Sequence, residues 1–239
     1  MAPIRKGDGA PLEIPGVQEV RSGDGRVFFE DAIPDTWDNY YDAADLSKSD
    51  QESISSLSDL VGETDLSGDA TFVDEGANGN PSISFNGSDE FLEGSFSSDR
   101  DQPNTIFGVV QWDGESGNAR VMDTANVGGR NIIDFNDNDG ELQAWAGTWL
   151  DSGESNITDA IILGVIFDGG DSEIRVNGST KGTGNLDLNA LGGINIGDDG
   201  GGFQGSVSHW GSVNGRPDIE EIDEIEGYLS DESGIPLND

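Results

Sequence analysis

The segment 134–141, Asp-Phe-Asn-Asp-Asn-Asp-Gly-Glu, concentrates the side-chain oxygens that calcium takes as ligands in proteins. Asp134, Asn136 and Asp139 are therefore candidate metal ligands, and calcium is the only cofactor that the sequence suggests. An EF-hand loop requires glycine at its sixth position, whereas Gly140 is the seventh residue counted from Asp134. An acidic hairpin turn explains the same residues, and we prefer it to a calcium loop.

Two tryptophans, Trp145 and Trp149, flank Ala146-Gly147-Thr148. The flat, apolar face of an exposed tryptophan can stack on a sugar ring, so both residues are candidates for glycan binding. Trp145 also follows the alternation of a predicted strand, which favours a place in the core. For Trp149 the two interpretations are balanced.

The chain offers few residues for histidine or cysteine chemistry. There is no cysteine, and the single histidine, His209, lies inside a predicted strand with no evident partner. We therefore predict a packing or surface role for His209. The sequence contains no phosphate-binding loop and no dinucleotide-binding fingerprint.

Three asparagines begin Asn-X-Ser/Thr triplets that could accept N-linked glycans: Asn86, Asn156 and Asn177. Two of these triplets are also Asn-Gly turn signals, which explains them without glycosylation. The segment 198–202, Asp-Asp-Gly-Gly-Gly, is a second acidic loop that could bind calcium or simply turn.

The charges divide the chain into two unequal parts. There are 48 acidic and 11 basic residues, which gives a formal net charge of −37. Residues 1–29 are neutral because they hold four residues of each sign, so residues 30–239 carry the whole net charge. Such a body repels itself in dilute buffer, whereas in molar salt the screening length falls to about 3 Å. We therefore predict a protein adapted to strong brine.

The charge also restricts the partners. An acidic body would repel nucleic-acid phosphates, so no nucleic-acid partner is expected. No apolar run approaches the roughly 18 residues of a membrane span. The start of the chain lacks the apolar segment of a secretory signal, so no signal peptide is expected either.

Short strands separated by turn residues dominate the pattern. Their regular spacing, in a chain with 36 glycines that favour turns, is typical of a β-sandwich or jelly roll. The predicted strands are 70–73, 82–85, 90–92, 104–112, 119–123, 130–135, 141–146, 160–168, 172–176, 191–196 and 203–213. One helix is predicted at the end, where an apolar stripe runs over 219–229 between a start signal at Asp218 and a stop at Gly234. It should cover an edge or the mouth of the sandwich.

Residues 1–35 are predicted to form an N-terminal extended arm with one or two β-hairpins, and residues 36–239 a jelly-roll domain. In the arm, residues 4–9 (Ile-Arg-Lys-Gly-Asp-Gly) are echoed by residues 20–25 (Val-Arg-Ser-Gly-Asp-Gly), and Asp-Gly is a hairpin turn signal. Pro34 marks the boundary. The arm is either a docking segment or a strand pair packed on the domain.

Several motifs follow one another in order over roughly residues 36–236. They are 37–46 with 57–62 and 69–72, then 81–88, then 167–169 with 174–178, and finally 196–197 with 203–205 and 225–231. Their order and spacing resemble the concanavalin A-like, or laminin G-like, lectin and glucanase jelly roll. The resemblance implies an all-β fold, a two-sheet antiparallel jelly-roll sandwich, often with a glycan or calcium site at one rim. The arm lies outside it.

The acidic segment 221–226 resembles the glucanase motif of this superfamily, in which alternate carboxylates act as nucleophile, helper and acid. A retaining mechanism needs two carboxyl groups about 5–5.5 Å apart, which a strand face provides. Here the apolar period is helical, so Glu221, Asp223 and Glu226 are expected to point in different directions. We predict a solvated helix face and no catalytic residue. A salt-adapted glycoside hydrolase using these three residues is the alternative.

The sequence favours a non-enzymatic structural protein of a virus that infects halophilic archaea, located in the extracellular virion. It would be a capsid turret, a decoration protein or a tail-fibre component. Residues 1–35 would bind other virion proteins, and the lectin-like domain could bind a host-surface glycan. We expect a homo-oligomer. A cellular lectin-like surface protein is a further alternative.

Overall fold

The computed structural model describes residues 17–21, 27–31, 33–114, 119–125, 130–136, 139–197 and 202–238. The chain divides into two units, Met1–Asp35 and Thr36–Asp239. Among the described residues, no helix is both long enough and apolar enough to cross a membrane.

The described part of the first unit is one antiparallel strand pair. Strand β1 (Val17–Arg21) pairs with β2 (Val27–Asp31), with Val17 opposite Asp31 and Arg21 opposite Val27. The sequence predicts this hairpin around its second Asp-Gly signal, although that turn lies outside the described residues. Residues 4–9, the first copy of the repeat, also lie outside them.

In the second unit, the described residues form fifteen further strands and one α-helix. The first seven strands are β3 (Asn39–Asp42), β4 (Ser53–Leu57), β5 (Leu66–Val73), β6 (Ser82–Asn86), β7 (Phe91–Arg100), β8 (Asn104–Trp112) and β9 (Ala119–Asp123). The next eight are β10 (Ile132–Phe135), β11 (Leu142–Trp145), β12 (Trp149–Asp151), β13 (Ile161–Phe167), β14 (Ser172–Val176), β15 (Ser179–Gly184), β16 (Leu191–Ile196) and β17 (Gln204–Val213). The helix, α1, is Ile219–Ser233.

These strands form one continuous antiparallel sheet. Its main path runs β12-β11-β10-β9-β16-β7-β5-β6-β17-β8-β13-β14-β15, while β3 pairs with β17 and β4 pairs with β5. The two end strands approach each other, since a Cβ on Gly182 of β15 would lie 2.4 Å from the carbonyl oxygen of Asp151 in β12. The sheet is therefore a nearly closed barrel.

The prediction of an all-β antiparallel fold with one C-terminal helix is confirmed, but two separate sheets are not distinct in this structure. β5 pairs with both β6 and β7, and β16 pairs with both β7 and β9. The ladder thus passes from one half of the barrel to the other without a break. An alternating sequence pattern shows which residues face inwards, and that pattern is the same for two stacked layers and for a curled sheet.

The interior of the barrel is the main core. It contains large side chains that are almost fully buried, among them Phe85, Phe135 and Trp210. β13 is buried at every residue, as its unbroken apolar run predicts. The packing around Trp210 requires glycine at position 108, where a Cβ would lie 2.4 Å from the indole ring.

Both Asn-Gly dipeptides form the tight turns that the sequence predicts. Asn177 and Gly178, between β14 and β15, have φ angles of 49° and 82°. Gly87, between β6 and β7, has a φ angle of 75°. Glycine and asparagine are the residues that adopt this left-handed backbone at least cost. Asn177-Gly178 reverses the β14–β15 hairpin, whereas Gly87 turns the chain between two strands that do not pair with each other, since β5 lies between β6 and β7.

Helix α1 begins and ends as the sequence predicts. The Asp218 side chain accepts hydrogen bonds from the backbone N–H groups of Glu220 and Glu221, and the Asp218 N–H donates to Glu221 Oε2 at 2.7 Å. This is a complete capping box. Gly234 ends the helix with a φ angle of 70°.

The apolar stripe of α1 is buried at Ile222, Ile225 and Leu229, whereas Ile219 is 61% exposed. The helix packs on β8 and β13. It therefore covers part of the outer face of the barrel, and not an edge or the mouth as the sequence suggested. The reason is that β8 and β13 are apolar on both faces, so their outer side also has to be covered.

A buried ion pair joins α1 to β14. Arg175 donates from Nε to Glu226 Oε1 and from Nη2 to Glu226 Oε2, each at 2.8 Å. The two residues are 6% and 2% exposed. Arg175 Nη1 also donates to Glu173 Oε1 at 2.8 Å. The hydrogen bonds to Glu226 raise the pKa of Arg175, so the guanidinium stays charged and holds the helix in one position.

Glu226→Gln should lower the free energy of unfolding by about 3 kcal/mol, because it leaves a buried guanidinium short of negative charge. Glu224→Gln, at an exposed position of the same helix, should change it by less than about 0.5 kcal/mol. Urea unfolding in concentrated salt measures both values. Equal stabilities for the two variants would contradict the anchoring role of the pair.

Candidate functional site

One outer half of the barrel carries polar and aromatic side chains. In β10, Ile133 and Phe135 belong to the interior core, so Asp134 between them points outwards. Its register partners are Arg120 in β9 and Gln143 in β11. The alternation continues onto β12 and β16. We call this surface the polar face and define it by the following residues: Arg120, Asp123, Asp134, Gln143, Trp145, Trp149, Asp151 and Asn195.

Trp145 and Trp149 lie directly opposite each other on the β11–β12 hairpin. Trp149 is 50% exposed, and Trp145 is partly exposed and lies outside the interior core. The inward positions of β11 belong instead to Leu142 and Ala144. Trp145 is therefore not the core residue that its strand pattern favoured, and both candidate tryptophans share one side of a hairpin.

Beside the tryptophan pair, Gln143 Nε2 donates a hydrogen bond to Asp151 Oδ1 at 2.6 Å. Asp151 is exposed and Gln143 is partly exposed. A flat aromatic surface next to an amide and a carboxylate offers both stacking and hydrogen bonding. This combination suits a ligand that has an apolar ring face and a rim of hydroxyl groups.

Ion pairs fill the centre of the polar face. Asp123 accepts hydrogen bonds from Arg130 at both carboxylate oxygens and from the backbone N–H of Thr124 at 2.7 Å. Arg120 Nη1 lies 3.7 Å from Asp123 Oδ2. Asp123 and Asp134 are only 5% and 4% exposed. Both arginines are therefore already engaged by a buried carboxylate.

Asn195 lies between Asp123 and Glu93 in the register of the sheet. It is 6% exposed, and its buried Oδ1 has no hydrogen-bond partner among the described residues. An unsatisfied buried carbonyl is costly.

Two of the three candidate calcium ligands have roles in a turn of the described structure, and the third lies on the polar face. Asn136 Oδ1 accepts the backbone N–H of Asp139 at 3.1 Å, and Asp139 Oδ1 accepts that of Glu141 at 3.3 Å, so both oxygens serve the turn. Asp134 points to the polar face opposite Arg120. In the described ranges, no three acidic or histidine side chains are grouped so that they could hold a metal. Residues 137–138 and 198–201 lie outside the description.

The carboxylates of the alternative hydrolase do not converge. All three lie on α1, which is helical as predicted. Glu221 caps the helix and Glu226 pairs with Arg175, while Asp223 is exposed. In the described structure each of the two glutamates therefore has a structural partner of its own.

His209 belongs to a buried cluster that no local sequence pattern indicates. The Tyr40 hydroxyl lies 2.8 Å from His209 Nδ1 and 3.4 Å from the hydroxyl of Tyr228 in α1. Asp42 Oδ1 lies 3.6 Å from the same imidazole nitrogen. Burial lowers the pKa of His209, against the opposing effect of Asp42, and burial also raises the pKa of Tyr40. The cluster could have been found only by predicting β3, which carries Tyr40 and Asp42 and pairs with β17.

Two of the three glycosylation triplets have roles in turns. Asn86 Nδ2 donates to Asp89 Oδ1 at 2.8 Å, and Asn177 Oδ1 accepts the backbone N–H of Ile162 at 2.8 Å. Asn156 is exposed, with a φ angle of 56°. The turn interpretation of the two Asn-Gly triplets therefore agrees with the structure.

No protein-family model matches this sequence, and no curated protein matches it significantly. Solved structures match it by fold. Trypanosoma rangeli sialidase aligns with a TM-score of 0.59 and 14% identity over 92% of this chain and 36% of the sialidase chain. Domain 4 of AbnA, a GH43 extracellular arabinanase from Geobacillus stearothermophilus in complex with arabinotriose, aligns with a TM-score of 0.58 and 14% identity over 80% of this chain and 98% of that domain.

The binding domain of botulinum neurotoxin serotype D also matches, with a TM-score of 0.59 and 10% identity over 81% of this chain and 51% of that chain. This chain spans about a third of the length of the sialidase. At such identities the likeness shows the fold alone, which is all-β and sandwich-like or barrel-like.

Lowering the pH from about 7.5 to about 5.5 should destabilise the protein through His209. Because its folded pKa lies below the unfolded value of 6.5, the unfolded chain binds more protons. The stability that neutral His209 contributes above pH 6.5 is therefore lost as the pH falls below that value. His209→Gln should lose less stability over the same interval, as measured by the urea midpoints at both pH values. An identical loss in the two proteins would show that His209 does not titrate in this way.

Proposed function

We propose that this protein is a non-catalytic carbohydrate-binding module whose ligand lies on the polar face. One observation carries the proposal: Trp145 and Trp149 share one side of the β11–β12 hairpin, beside the hydrogen-bonded pair of Gln143 and Asp151. The indole surface stacks on a sugar ring, while the amide and the carboxylate bind the hydroxyl groups around it.

The structural neighbours support this proposal. The arabinanase domain, which this chain covers almost completely, is in complex with arabinotriose, and one structure of the sialidase is in complex with sialic acid. We also infer that the curled barrel is a concanavalin A-like jelly roll. Its two halves, one covered by α1 and the other bearing the polar face, act as the two layers around the core.

The absence of hydrolase activity is part of the proposal. A glycoside hydrolase needs one carboxyl group as an acid and a second as a base or nucleophile. Glu221 is engaged in the capping box and Glu226 in the ion pair with Arg175. These partners support a structural use of the acidic segment.

Trp149→Ala should weaken the binding of a neutral oligosaccharide about tenfold, or about 1.4 kcal/mol, because the stacking surface is lost. The probes are arabino-, gluco- and galacto-oligosaccharides, and calorimetry in concentrated sodium chloride measures the affinities. Ile219→Ala is the matched control, because it removes an exposed apolar side chain from α1.

Equal affinities of the Trp149→Ala and Ile219→Ala variants would remove the tryptophan pair from the site. If the unsubstituted protein binds no glycan of the panel, the proposed function is wrong. Hydrolysis of any probe by the protein would favour the enzyme alternative, and loss of that hydrolysis in Glu221→Gln would locate it on α1.

We further propose that residues 1–35 attach the module to a larger assembly in strong brine. That assembly would be the virion of a haloarchaeal virus, in which a homo-oligomer acts as a capsid turret, decoration or tail-fibre component. The support is the charge division, with residues 1–29 neutral beside a body that carries −37. A neutral segment approaches an acidic neighbour without the repulsion that the body experiences. The residues 1–35 also form a unit of their own.

Deleting residues 1–29 should give a soluble, folded body that no longer joins its assembly. Co-sedimentation of the full-length and truncated proteins with particles purified from the producing culture measures this. Normal incorporation of the truncated protein would contradict the docking role. Capsid or tail proteins as neighbours of the full-length chain would support the virion, whereas cell-envelope neighbours would favour a cellular surface protein.

A further inference from the structure

We infer that the polar face selects uncharged, hydroxyl-rich glycans and rejects acidic ones. This inference rests on the proposed glycan-binding function and specifies the class of ligand. It is carried by the charges that the sheet register brings together on this face, and by which hydrogen-bonding atoms remain available there.

Carboxylates outnumber basic groups around the site. In the described part of the face and on the adjoining strand β7, Asp123, Asp134, Asp151 and Glu93 point outwards. The basic groups that reach the same surface are Arg120 and Arg130. The local charge is therefore negative, as it is for the whole body.

The two guanidinium nitrogens of Arg130 that could bind an acidic group in a bidentate way are already engaged by Asp123. Proteins recognise carboxylate or sulfate groups mainly through guanidinium groups with free N–H donors. Arg130 directs both Nε and Nη2 at Asp123. If it turned to a ligand, Asp123 would lose its partner while only 5% exposed. Leaving a buried carboxylate without its pair is strongly unfavourable.

Beside the tryptophan pair, the exposed charged group is a hydrogen-bond acceptor. The exposed carboxylate of Asp151 is an acceptor and keeps one oxygen beyond the bond from Gln143. Sugar hydroxyls are donors and satisfy such atoms, whereas an anionic group has no hydrogen to offer them. Sialic acid, seen in a structure of the sialidase that shares this fold, would therefore be a poor ligand here.

An amino sugar would also donate hydrogen bonds, and its charge would be attracted to the face. In strong brine that attraction is screened over about 3 Å, while excluded salts strengthen the burial of apolar surface against an indole. Stacking on Trp149 combined with neutral hydroxyl donors is the recognition that survives those conditions. The geometry therefore points to an uncharged glycan.

The experiment compares pairs of related glycans of which one member is neutral and the other carries carboxylate groups. The pairs are lactose with sialyllactose, galacto- with galacturono-oligosaccharides, and gluco- with glucurono-oligosaccharides, measured by calorimetry on the full chain. The neutral member should bind at least about tenfold more tightly, and the ratio should increase as sodium chloride is reduced from about 3 M to about 1 M. A preference for the acidic member, or tighter binding of deacetylated chitotriose, would overturn the inference.

Asp151→Lys tests the position of the charge. It should shift the ratio of neutral to acidic affinity towards the acidic member by about tenfold. Asp223→Lys makes the same change of charge at an exposed position of α1 and should leave the ratio unchanged. Equal shifts in both variants would mean that total charge, and not the polar face, sets the selectivity.

Asp151→Asn is the second variant, for use if the lysine substitution disturbs the short strand β12. It removes one negative charge and should shift the ratio in the same direction by a smaller factor. If no member of any pair binds to the unsubstituted protein, the glycan-binding function itself fails. That outcome is distinct from binding with the wrong charge preference.

Discussion

The buried ion pair between Arg175 and Glu226 determines how the barrel is covered. β8 and β13 are apolar on their outer side as well as their inner side, so a second layer has to lie over them. Helix α1 provides that layer, and the bidentate geometry of the pair fixes its position along β14. The pair also uses one carboxylate of an acidic segment that, from its sequence, could have been taken for a catalytic motif. The opposite half of the barrel carries the polar face instead of such a helix.

The few basic residues of the described second unit serve local structure. Lys48 pairs with Glu52 and Lys181 with Glu154, at 2.7 and 2.8 Å. Arg216 bridges Asp168 and Glu173. The remaining carboxylates far exceed these partners, and their mutual repulsion weakens as the ionic strength rises. The ionic strength therefore affects the stability of this fold.

Local sequence patterns predicted the elements that are determined by interactions between residues close in sequence. The period and caps of α1, the unbroken apolar runs of β8 and β13, and the two Asn-Gly turns could all be read from neighbouring residues. Strand β15, Ser-Thr-Lys-Gly-Thr-Gly, has no apolar alternation, and β12 is only three residues long, so both were missed. The curling of the sheet into one barrel depends on pairings between distant segments, which no local pattern contains.

In the candidate site too, some features could be predicted from local sequence and others depend on distant strand pairings. Trp145 and Trp149 could be selected from the sequence because the type of side chain suggested their chemistry. Gln143 and Asp151 became part of the site only through the register of β11 and β12. The role of Glu226 depends on an arginine 51 residues away in the chain. Residue type thus suggested which atoms could bind a ligand, while long-range pairing determined which atoms lie together.

The place where the end strands β12 and β15 approach each other has a consequence for the evolution of this protein. β12 hydrogen bonds to β11 alone, and it meets β15 across a narrow gap lined by Gly182 and Gly184. The β11–β12 hairpin, which carries the two tryptophans, is thus the margin of the sheet. Its loop can lengthen, shorten or exchange its aromatic residues while every other strand keeps its partners. Descendants of this chain can therefore vary the residues of this margin without having to rebuild the scaffold.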